Sequence, residues 1–368
     1  MAHKGKQLAM TKHTKRETVL SIGIDVGDRT SHYTVLDAEK KLVTTKSVLT
    51  TPDAFRRRFA RYEPCLVALE AGTHSPWAHE VLQEVGHKVF VVNPRRLALL
   101  TQSMRKSDKE DSEILARAVV SDLELVTPIQ PRGMRGQEQR ALLKLRDAAV
   151  RTRTQLITSL RGVIKPFGAR LPDCNSRTFH KKAMDAVPEQ LKPAVQPLIT
   201  VLGLISVTID EYDALVEAAL APQEQDAQRL QQVAGVGPIT TLAFLATMED
   251  PKRFPKSRMV GAYLGLTPRQ HESGDQQPQL RITKAGDGMM RKYLVQAAHH
   301  VLGPFGPDSD LKRFGEALAK RGGKNAKKRS VIAVARKLSV LLMTLWRTGA
   351  TYEPLRHASR VKAEAVPS

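Results

Sequence analysis

The segment KSDKEDSEILAR (106–117) places four carboxylates within six residues of a predicted helix. Ser107 and Glu110 match the capping-box pattern, and the helix dipole stabilises acids in a first turn. At about 100° per residue, however, Asp108 and Asp111 share an arc with the apolar residues of the helix, whereas Glu110 points the other way. An unpaired carboxylate on a buried face costs several kcal/mol. We therefore expect cations to meet Asp108 and Asp111.

Two further acids end predicted strands. Asp25 ends the apolar run SIGID and Glu70 ends CLVALE. Strand-end acids are common turn residues, but α/β sheets also place their sites at the carboxyl ends of strands. If the two strands are neighbours and the helix packs across their ends, Asp25, Glu70, Asp108 and Asp111 converge. Carboxylate oxygens suit Mg²⁺ or Mn²⁺, and two such ions can stabilise the attacking and leaving oxygens at a phosphodiester.

The charge of the chain favours a polyanionic partner. Lysine and arginine total 58 against 37 acids, a net charge of +21, and the excess is spread along the chain. Nucleic acid is the favoured partner, with an anionic membrane surface, or no polyanion at all, as alternatives.

The turn GIDVG also occurs in actin-like and sugar-kinase ATPases. Those ATPases require a second glycine-rich phosphate turn, which we do not find in the sequence, and a net charge of +21 would be unusual for them.

The cysteine content and the hydropathy pattern indicate the compartment. Two cysteines cannot build a disulfide framework or a CxxC metal site, which fits a reducing, cytoplasmic setting. We find neither a signal peptide nor an apolar run of membrane-spanning length, so no membrane association is expected.

Periodicity predicts a mixed α/β domain followed by helices. From Val19 the strand patterns form a short antiparallel meander, after which strands and helices alternate. Helical patterns over 134–163 and 189–221 predict two long helices, either an antiparallel coiled-coil arm or part of a plain bundle. The predicted domains are a basic disordered arm (1–17), a sheet domain (18–130), a helical region (131–225), a mostly helical C-terminal domain (226–350) and a disordered tail (351–368).

The C-terminal region contains two candidate phosphate-binding motifs. In VAGVGPITTLAF, Gly235 and Gly237 precede a helix start, which resembles a helix-hairpin-helix element; a plain helix–helix turn is the alternative. In the loop that follows, Ser273 lies among cations that could hold a phosphate and stabilise attack on it, with His271 and His299 as candidate bases. The candidate nucleic-acid-binding cations near this loop are Arg269, Arg281, Lys284 and Arg291.

Four motifs occur in a fixed order along residues 21–301. They are IGIDVGDRTSHYTVLD, ALEAGTHSPWAHEVL, NPRRLALLTQSMRKSDKEDSEILAR, and GVGPITTLAFLATMEDPKRFPKSRMVGAYLGLTPRQHESG followed by RITKAGDGMMRKYLVQAA. In these motifs the chain resembles the insertion-sequence transposases of the IS one-ten type, which include Piv-like DNA invertases and bridge-RNA-guided recombinases. Two positions depart from the family pattern: Leu280 stands where a glycine is expected, and Asp287 where an asparagine is common.

The resemblance implies a RuvC-like, ribonuclease-H-type N-terminal domain, a coiled-coil insertion and a C-terminal transposase domain. By motif, the family's DEDD carboxylates carry over to Asp25, Glu70, Asp108 and Asp111, and its nucleophilic serine carries over to Ser273. The implied activity is DNA transposition or site-specific recombination, with acid-bound metal ions orienting the scissile phosphate while Ser273 forms a phosphoserine linkage.

The resemblance also implies partners. These are donor and target DNA and a structured guide RNA bound by the basic helices, with the chain acting at the prokaryotic nucleoid. Because one site would combine an N-terminal acid cluster with a C-terminal serine, we also expect a homodimer or homotetramer. Two alternatives stay open: a RuvC-like junction-resolving nuclease that uses water as nucleophile, and a catalytically inactive nucleic-acid-binding protein.

Overall fold

A computed structural model describes residues 20–93, 108–121, 128–270 and 280–356 of the chain. The chain divides into two compact units, residues 1–134 and 135–368, which we describe separately. The predicted arm (1–17), the helical pattern predicted for 95–104 and the capping residue Ser107 lie outside the described residues.

The N-terminal unit contains a mixed sheet with the strand order β3-β2-β1-β4-β5. The strands are β1 (Ser21–Asp25), β2 (Thr30–Leu36), β3 (Leu42–Leu49), β4 (Leu66–Glu70) and β5 (Lys88–Val92). The first three strands pair antiparallel, whereas β4 pairs parallel with both β1 and β5. The predicted meander and the mixed α/β sheet are therefore confirmed.

Helices cover both faces of this sheet. They are α1 (Pro52–Phe59), α2 (Ser75–Glu84) and α3 (Asp108–Ser121). On one face, Ile24 and Leu69 share a buried cluster with Phe55 of α1 and Leu82 of α2. On the other face, Ala68 and Val92 pack with Leu115 and Val119 of α3. Because β4 and β5 are buried on both sides, their sequences are near-continuous apolar runs rather than alternating ones.

The C-terminal unit is mostly helical, as its sequence pattern predicts. Its helices are α4 (Met134–Ile164), α5 (Phe179–Lys182), α6 (Lys192–Leu220), α7 (Glu224–Gln231), α8 (Pro238–Met248), α9 (Met259–Tyr263), α10 (Gly288–Leu302), α11 (Asp310–Lys320) and α12 (Ala326–Thr348). The main core joins α8, α10 and α12, and α8 is buried from Thr240 to Met248. Residues 351–356 also contact this unit, because the Tyr352 N–H donates to the Gln232 side chain at 2.9 Å.

The long helices α4 and α6 run antiparallel. Arg146 of α4 pairs with Asp213 of α6. Arg153, about two turns further along α4, donates to the Ser206 hydroxyl. At the far end of the pair, Ile157 of α4 shares a buried cluster with Ile199 near the start of α6. The contacts thus move backward along α6 as they move forward along α4.

One sequence expectation is wrong. The helical stretch Glu189–Gln231 is long and apolar enough, by length and composition, to cross a membrane, so the chain does contain an apolar run of that size. In the structure its inward face packs on α4, with Ile199 and Leu202 buried, and Asp210 and Asp213 form ion pairs with arginines. The apolar content of this stretch therefore reflects, in part, its contact with α4.

The two cysteines should differ in reactivity. Cys65 is buried directly before β4, and burial raises the pKa of its thiol to about 12, so almost no nucleophilic thiolate forms at neutral pH. Cys174 is half-buried. We expect one thiol to react with a disulfide reagent in the native protein and two in denaturant, and we expect Cys174→Ala to remove the fast-reacting thiol. Equal rates for both thiols in the native protein would contradict this burial.

Candidate active site

The strand-end acids Asp25 and Glu70 are neighbours. Strands β1 and β4 pair parallel with Ile24 opposite Leu69, and each acid is the next and last residue of its strand. Both acids are half-buried. The two carboxylates therefore lie side by side at the carboxyl edge of the sheet.

Both acids also belong to the sheet face that α3 covers. Side chains alternate between the faces of a strand. On β1, the Ser21 hydroxyl donates to the carbonyl of Ala116 in α3 at 2.9 Å, which assigns Ser21 and, two and four residues on, Gly23 and Asp25 to the α3 side. On β4, Ala68 packs against α3, so Glu70 lies on the same face.

Gly23 lets α3 approach the strand closely. A Cβ added at Gly23 would lie 2.0 Å from the Ser112 carbonyl oxygen and 2.3 Å from the Ala116 nitrogen, distances that no side chain can occupy. The small Thr34 on β2 extends this contact, since its hydroxyl lies 2.8 Å from the Ser112 hydroxyl. The helix backbone therefore packs directly on the strand.

This packing sets the start of α3 beside the acids. Ser21 contacts Ala116 and Gly23 contacts Ser112, so α3 runs antiparallel to β1. Asp25 is about 6.6 Å further along the strand, and Asp108 is four residues, or about 6 Å, before Ser112 along the helix axis. The backbone of Asp108, which begins α3, is thus level with Asp25.

The acids of α3 separate as their helical phase predicts. Asp111 is half-buried and precedes the fully buried Ser112. Glu110 is exposed, and Glu113 pairs with Arg117 at 2.7 Å on the outer face. The side chain of Asp108 lies outside the described residues.

This arrangement concentrates negative charge at a helix start. The N-terminus of a helix favours anions, either carboxylates or a phosphate, and it partly offsets the repulsion between Asp25, Glu70 and Asp111. Among the described side chains, no three potential ligands are close enough to hold a metal ion, and Asp108 is not among them. The structure therefore brings Asp25 and Glu70 to adjacent strand ends with the start of α3 across them, but it does not gather Asp25, Glu70 and Asp111 into one metal-binding group.

A histidine that the sequence interpretation did not select lies at the same edge. His74 follows β4, and its Nε2 lies 3.6 Å from Asp28, in the turn after β1. The indole Nε1–H of Trp77 donates to His74 Nδ1 at 3.1 Å. Since an indole N–H can only donate, the proton of the neutral imidazole must be on Nε2. The signal in the sequence was the position of His74, four residues after Glu70.

The residues on either side of the candidate serine form two paired segments. Arg269 and Arg281 pair through an Arg269 N–H to Arg281 carbonyl hydrogen bond of 2.9 Å, and Thr283 pairs likewise with Thr267. Ser273 and His271 are among the connecting residues 271–279, outside the described residues. The side chains of both arginines are exposed, at the end of the stem from which the loop begins.

The other predicted phosphate contacts have different settings. Lys284 is exposed and has a φ of 55°. Arg291 donates through Nη1 to the carbonyls of Leu264 and Ala285, at 2.9 and 2.6 Å. At least part of the Arg291 guanidinium therefore stabilises the backbone at the base of the stem.

The glycine turn before α8 also has a specific geometry. Gly235 has a φ of 82°, and an added Cβ would lie 2.8 Å from the Ala297 carbonyl, so glycine is required both for conformation and for space. Gly237 is exposed, has open space around its Cα and directly precedes Pro238, the first residue of α8. The turn joins α7 to α8 and leaves the start of α8 accessible.

Asp287, a departure from the expected pattern, has a structural explanation. Its carboxylate caps α10 by accepting from the Met290 N–H at 2.9 Å, and it forms an ion pair with Arg140 of α4. Asparagine would provide the cap equally well but not the charge. The aspartate thus ties α4 to the C-terminal core.

Comparison with known proteins agrees with these features. A family model described as transposase matches residues 22–167, and a model of the IS116/IS110/IS902 transposase family matches residues 227–311. The transposase for insertion sequence element IS1111A of Coxiella burnetii is 28% identical over 295 residues, covering 78% of this chain and 79% of its own. The transposase for IS1328 of Yersinia enterocolitica is 31% identical over 298 residues, covering 76% and 83%. The pilin gene-inverting protein of Moraxella bovis is 25% identical over 278 residues, covering 74% and 76%.

The acid-edged mixed sheet and the helical C-terminal unit are therefore those of a transposase, an enzyme class that cleaves and rejoins DNA. The chain belongs to the IS116/IS110/IS902 family of insertion-sequence transposases. The resemblance inferred from the four sequence motifs, including the kinship with DNA invertases, is confirmed.

The contact at Gly23 yields a direct test. Gly23→Ala should destabilise the protein by about 1–3 kcal/mol, because α3 must move away from the sheet, and it should lower DNA processing because Asp111 moves with the helix. Thermal or urea unfolding and a DNA cleavage assay measure the two effects.

Gly72→Ala is the matched control, since no described heavy atom beyond its own chain neighbours lies within 4 Å of a Cβ at that position. We expect its unfolding free energy to stay within about 0.5 kcal/mol of the parent. Equal stabilities for the two variants would mean that α3 does not pack on β1 as described.

Proposed function

We propose that this chain is a DNA recombinase that moves an insertion sequence, and that Asp25, Glu70, Asp108 and Asp111 form its metal-dependent centre. The observation that carries the proposal is the adjacency of Asp25 and Glu70 beneath the start of α3. Four carboxylates from two strand ends and one helix start would repel each other without cations. The acidic edge of this basic protein would thus bind the cations that contact the scissile phosphate.

The chemistry of the donor set suits Mg²⁺ or Mn²⁺. All four predicted ligands are carboxylates, and hard divalent cations prefer oxygen ligands. When bound, such ions would neutralise charge at the scissile phosphate and at the leaving oxygen. The positive end of the α3 dipole acts in the same direction.

Ser273 is the proposed nucleophile. Its Oγ would form a bond to phosphorus as the bond from phosphorus to the 3′ oxygen breaks; the serine loses its proton to a base, and the leaving 3′ oxygen gains one. The phosphoserine linkage keeps the bond energy, so that rejoining requires no ATP. Support comes from the exposed cations Arg269 and Arg281, which are close to Ser273 in the sequence and pair with each other through their backbones; they would hold the phosphate under attack.

Rejoining distinguishes this proposal from a nuclease of the junction-resolving kind. A relative named as a pilin gene-inverting protein indicates an ancestry in which cleaved strands are rejoined, since inversion of a segment requires both steps. His74 would assist at the acidic edge if its Nε2–H, which lies 3.6 Å from the exposed Asp28 carboxylate, turned to donate a hydrogen bond to a phosphate or a leaving oxygen.

The proposed partners are donor DNA, target DNA and a structured guide RNA, with the chain acting as a dimer or tetramer in the cytoplasm, at the nucleoid. We propose that the turn of Gly235 and Gly237 is a helix-hairpin-helix element that contacts DNA. The exposed start of α8 presents backbone N–H groups that would donate hydrogen bonds to a phosphate. The helical region is a weaker candidate for RNA binding than its composition predicted. Arginines of α4 such as Arg140 and Arg146 form ion pairs with acids of the protein, so their charge is already neutralised.

A pair of substitutions tests the serine mechanism. On DNA carrying the ends of the element, the parent protein with Mg²⁺ should give a covalent protein–DNA species on a denaturing gel. Ser273→Ala should abolish this species together with strand cleavage, and Asp111→Asn should reduce both by at least about a hundredfold.

Glu110→Gln provides the control, because Glu110 is exposed on the same helix and should leave activity near that of the parent. If Ser273→Ala still cleaves DNA without a covalent species, water is the nucleophile and the recombinase mechanism is wrong.

A further inference from the structure

One face of α12 carries three arginines in a line. Arg329, Arg336 and Arg347 are separated by 7 and 11 residues, so at about 100° per residue their directions agree within about 20°. At about 1.5 Å per residue the line is about 27 Å long. The residues between them on this face are the neutral Ala333, Val340 and Thr344.

Contacts with neighbouring segments fix two of these arginines and add two more cations. The stem of Arg336 packs on α9, since a Cβ at Gly261 would lie 2.9 Å from its Cγ. Arg347 donates to the Pro255 carbonyl at 3.1 Å. Beside Arg347, Lys256 and Arg258 line an open pocket of about 460 Å³.

We name this surface the α12 basic track and define it as Lys256, Arg258, Arg329, Arg336 and Arg347. The pocket at its end also contains Ser257, whose hydroxyl is buried and has no hydrogen-bond partner among the described residues. A buried hydroxyl without a partner is costly, and an anion seated between the cations would accept its hydrogen bond.

Three cations of the track are not neutralised within the described part of the chain. Neither 251–270 nor 317–352 contains an acid, and in the part of the chain that the structure describes, Lys256, Arg258 and Arg336 have no ion-pair partner. The arginines of α4 provide the contrast, since Arg140 and Arg146 pair with acids. Unbalanced charge on an ordered surface indicates an external anion.

The start of α12 adds to this imbalance. Lys327 and Lys328 are exposed in its first turn, where the positive end of the helix dipole disfavours cations. Lys320, Arg321 and Lys324 precede them. The lysines at the Arg329 end of the track therefore do not stabilise the start of α12, and their positive charge stays exposed to solvent.

On this basis we propose that the α12 basic track binds the phosphate backbone of double-stranded DNA. A length of about 27 Å corresponds to about eight base pairs at 3.4 Å each. The track and the neutral residues between its arginines include no aromatic side chain, whereas binding of single strands relies on aromatic stacking. The proposal rests on the DNA-directed function above, and it assigns the holding of duplex to a surface that takes no part in cleavage.

The test measures DNA affinity without catalysis. The triple variant Arg258→Gln, Arg336→Gln, Arg347→Gln keeps the side-chain stems and removes three charges. Fluorescence anisotropy with a 30-base-pair duplex, in EDTA and over a range of KCl concentrations, should show a shallower dependence of log K on log[salt]. The slope should fall by about 2.7, since each lost phosphate contact contributes about 0.9.

The control variant Lys165→Gln, Lys181→Gln, Lys182→Gln removes the same charge from exposed residues of the helical region. Its slope of log K against log[salt] should differ from that of the parent by less than about 0.9, the contribution of one phosphate contact. If the triple variant is unfolded by circular dichroism, the single variants Arg258→Gln and Arg347→Gln, both at exposed positions, must each lower the slope by about 0.9.

Two outcomes would overturn the proposal. One is an equal loss of slope in the triple and control variants. The other is retained duplex binding together with lost binding of an RNA hairpin. Since the assay contains no divalent ion and reads no cleavage, its failure would leave the proposed chemistry standing, and failure of the serine mechanism would leave this binding surface standing.

Discussion

The packing of α3 on β1 at Gly23 is the contact on which the candidate active site depends. The helix backbone lies where the first side-chain carbon of any other residue would be, and hydrogen bonds from Ser21 and between Thr34 and Ser112 fix the register on either side. This register brings the start of α3 level with the carboxyl ends of β1 and β4. The absence of a side chain at Gly23 thus allows the start of α3 to lie beside Asp25, although Asp25 and the first residue of α3, Asp108, are 83 residues apart in the sequence.

The C-terminal unit distributes its charge on a different principle. Along α4, arginines pair with acids of α6 and with the cap of α10, so these charges stabilise the fold rather than attract a ligand. On the α12 basic track, Lys256, Arg258 and Arg336 have no ion-pair partner among the residues that the structure describes. A basic composition alone therefore does not locate nucleic-acid binding in this chain; the distribution of acids around each cation does.

Much of the sheet could be predicted from the sequence, because its strands are short apolar runs bounded by turn signals, and Asp25 and Glu70 end two of them. The orientation of Asp111 followed from helical phase. Neither signal reveals which residues meet across a sheet. The contact at Gly23 and the hydrogen bond from Trp77 to His74 are tertiary, and the apolar length of α6 is partly explained by its packing on α4. Ser273 stays a prediction from its motif.

The most direct test of the central claim is a calorimetric titration of Mn²⁺ into the protein without DNA. If Asp25 and Glu70 are metal ligands, Asp25→Asn and Glu70→Gln should each weaken binding by about tenfold or more. Asp28→Asn, three residues from Asp25 and with a side chain that is 93% exposed, should bind as the parent does. Equal Mn²⁺ affinity in all four proteins would contradict the account.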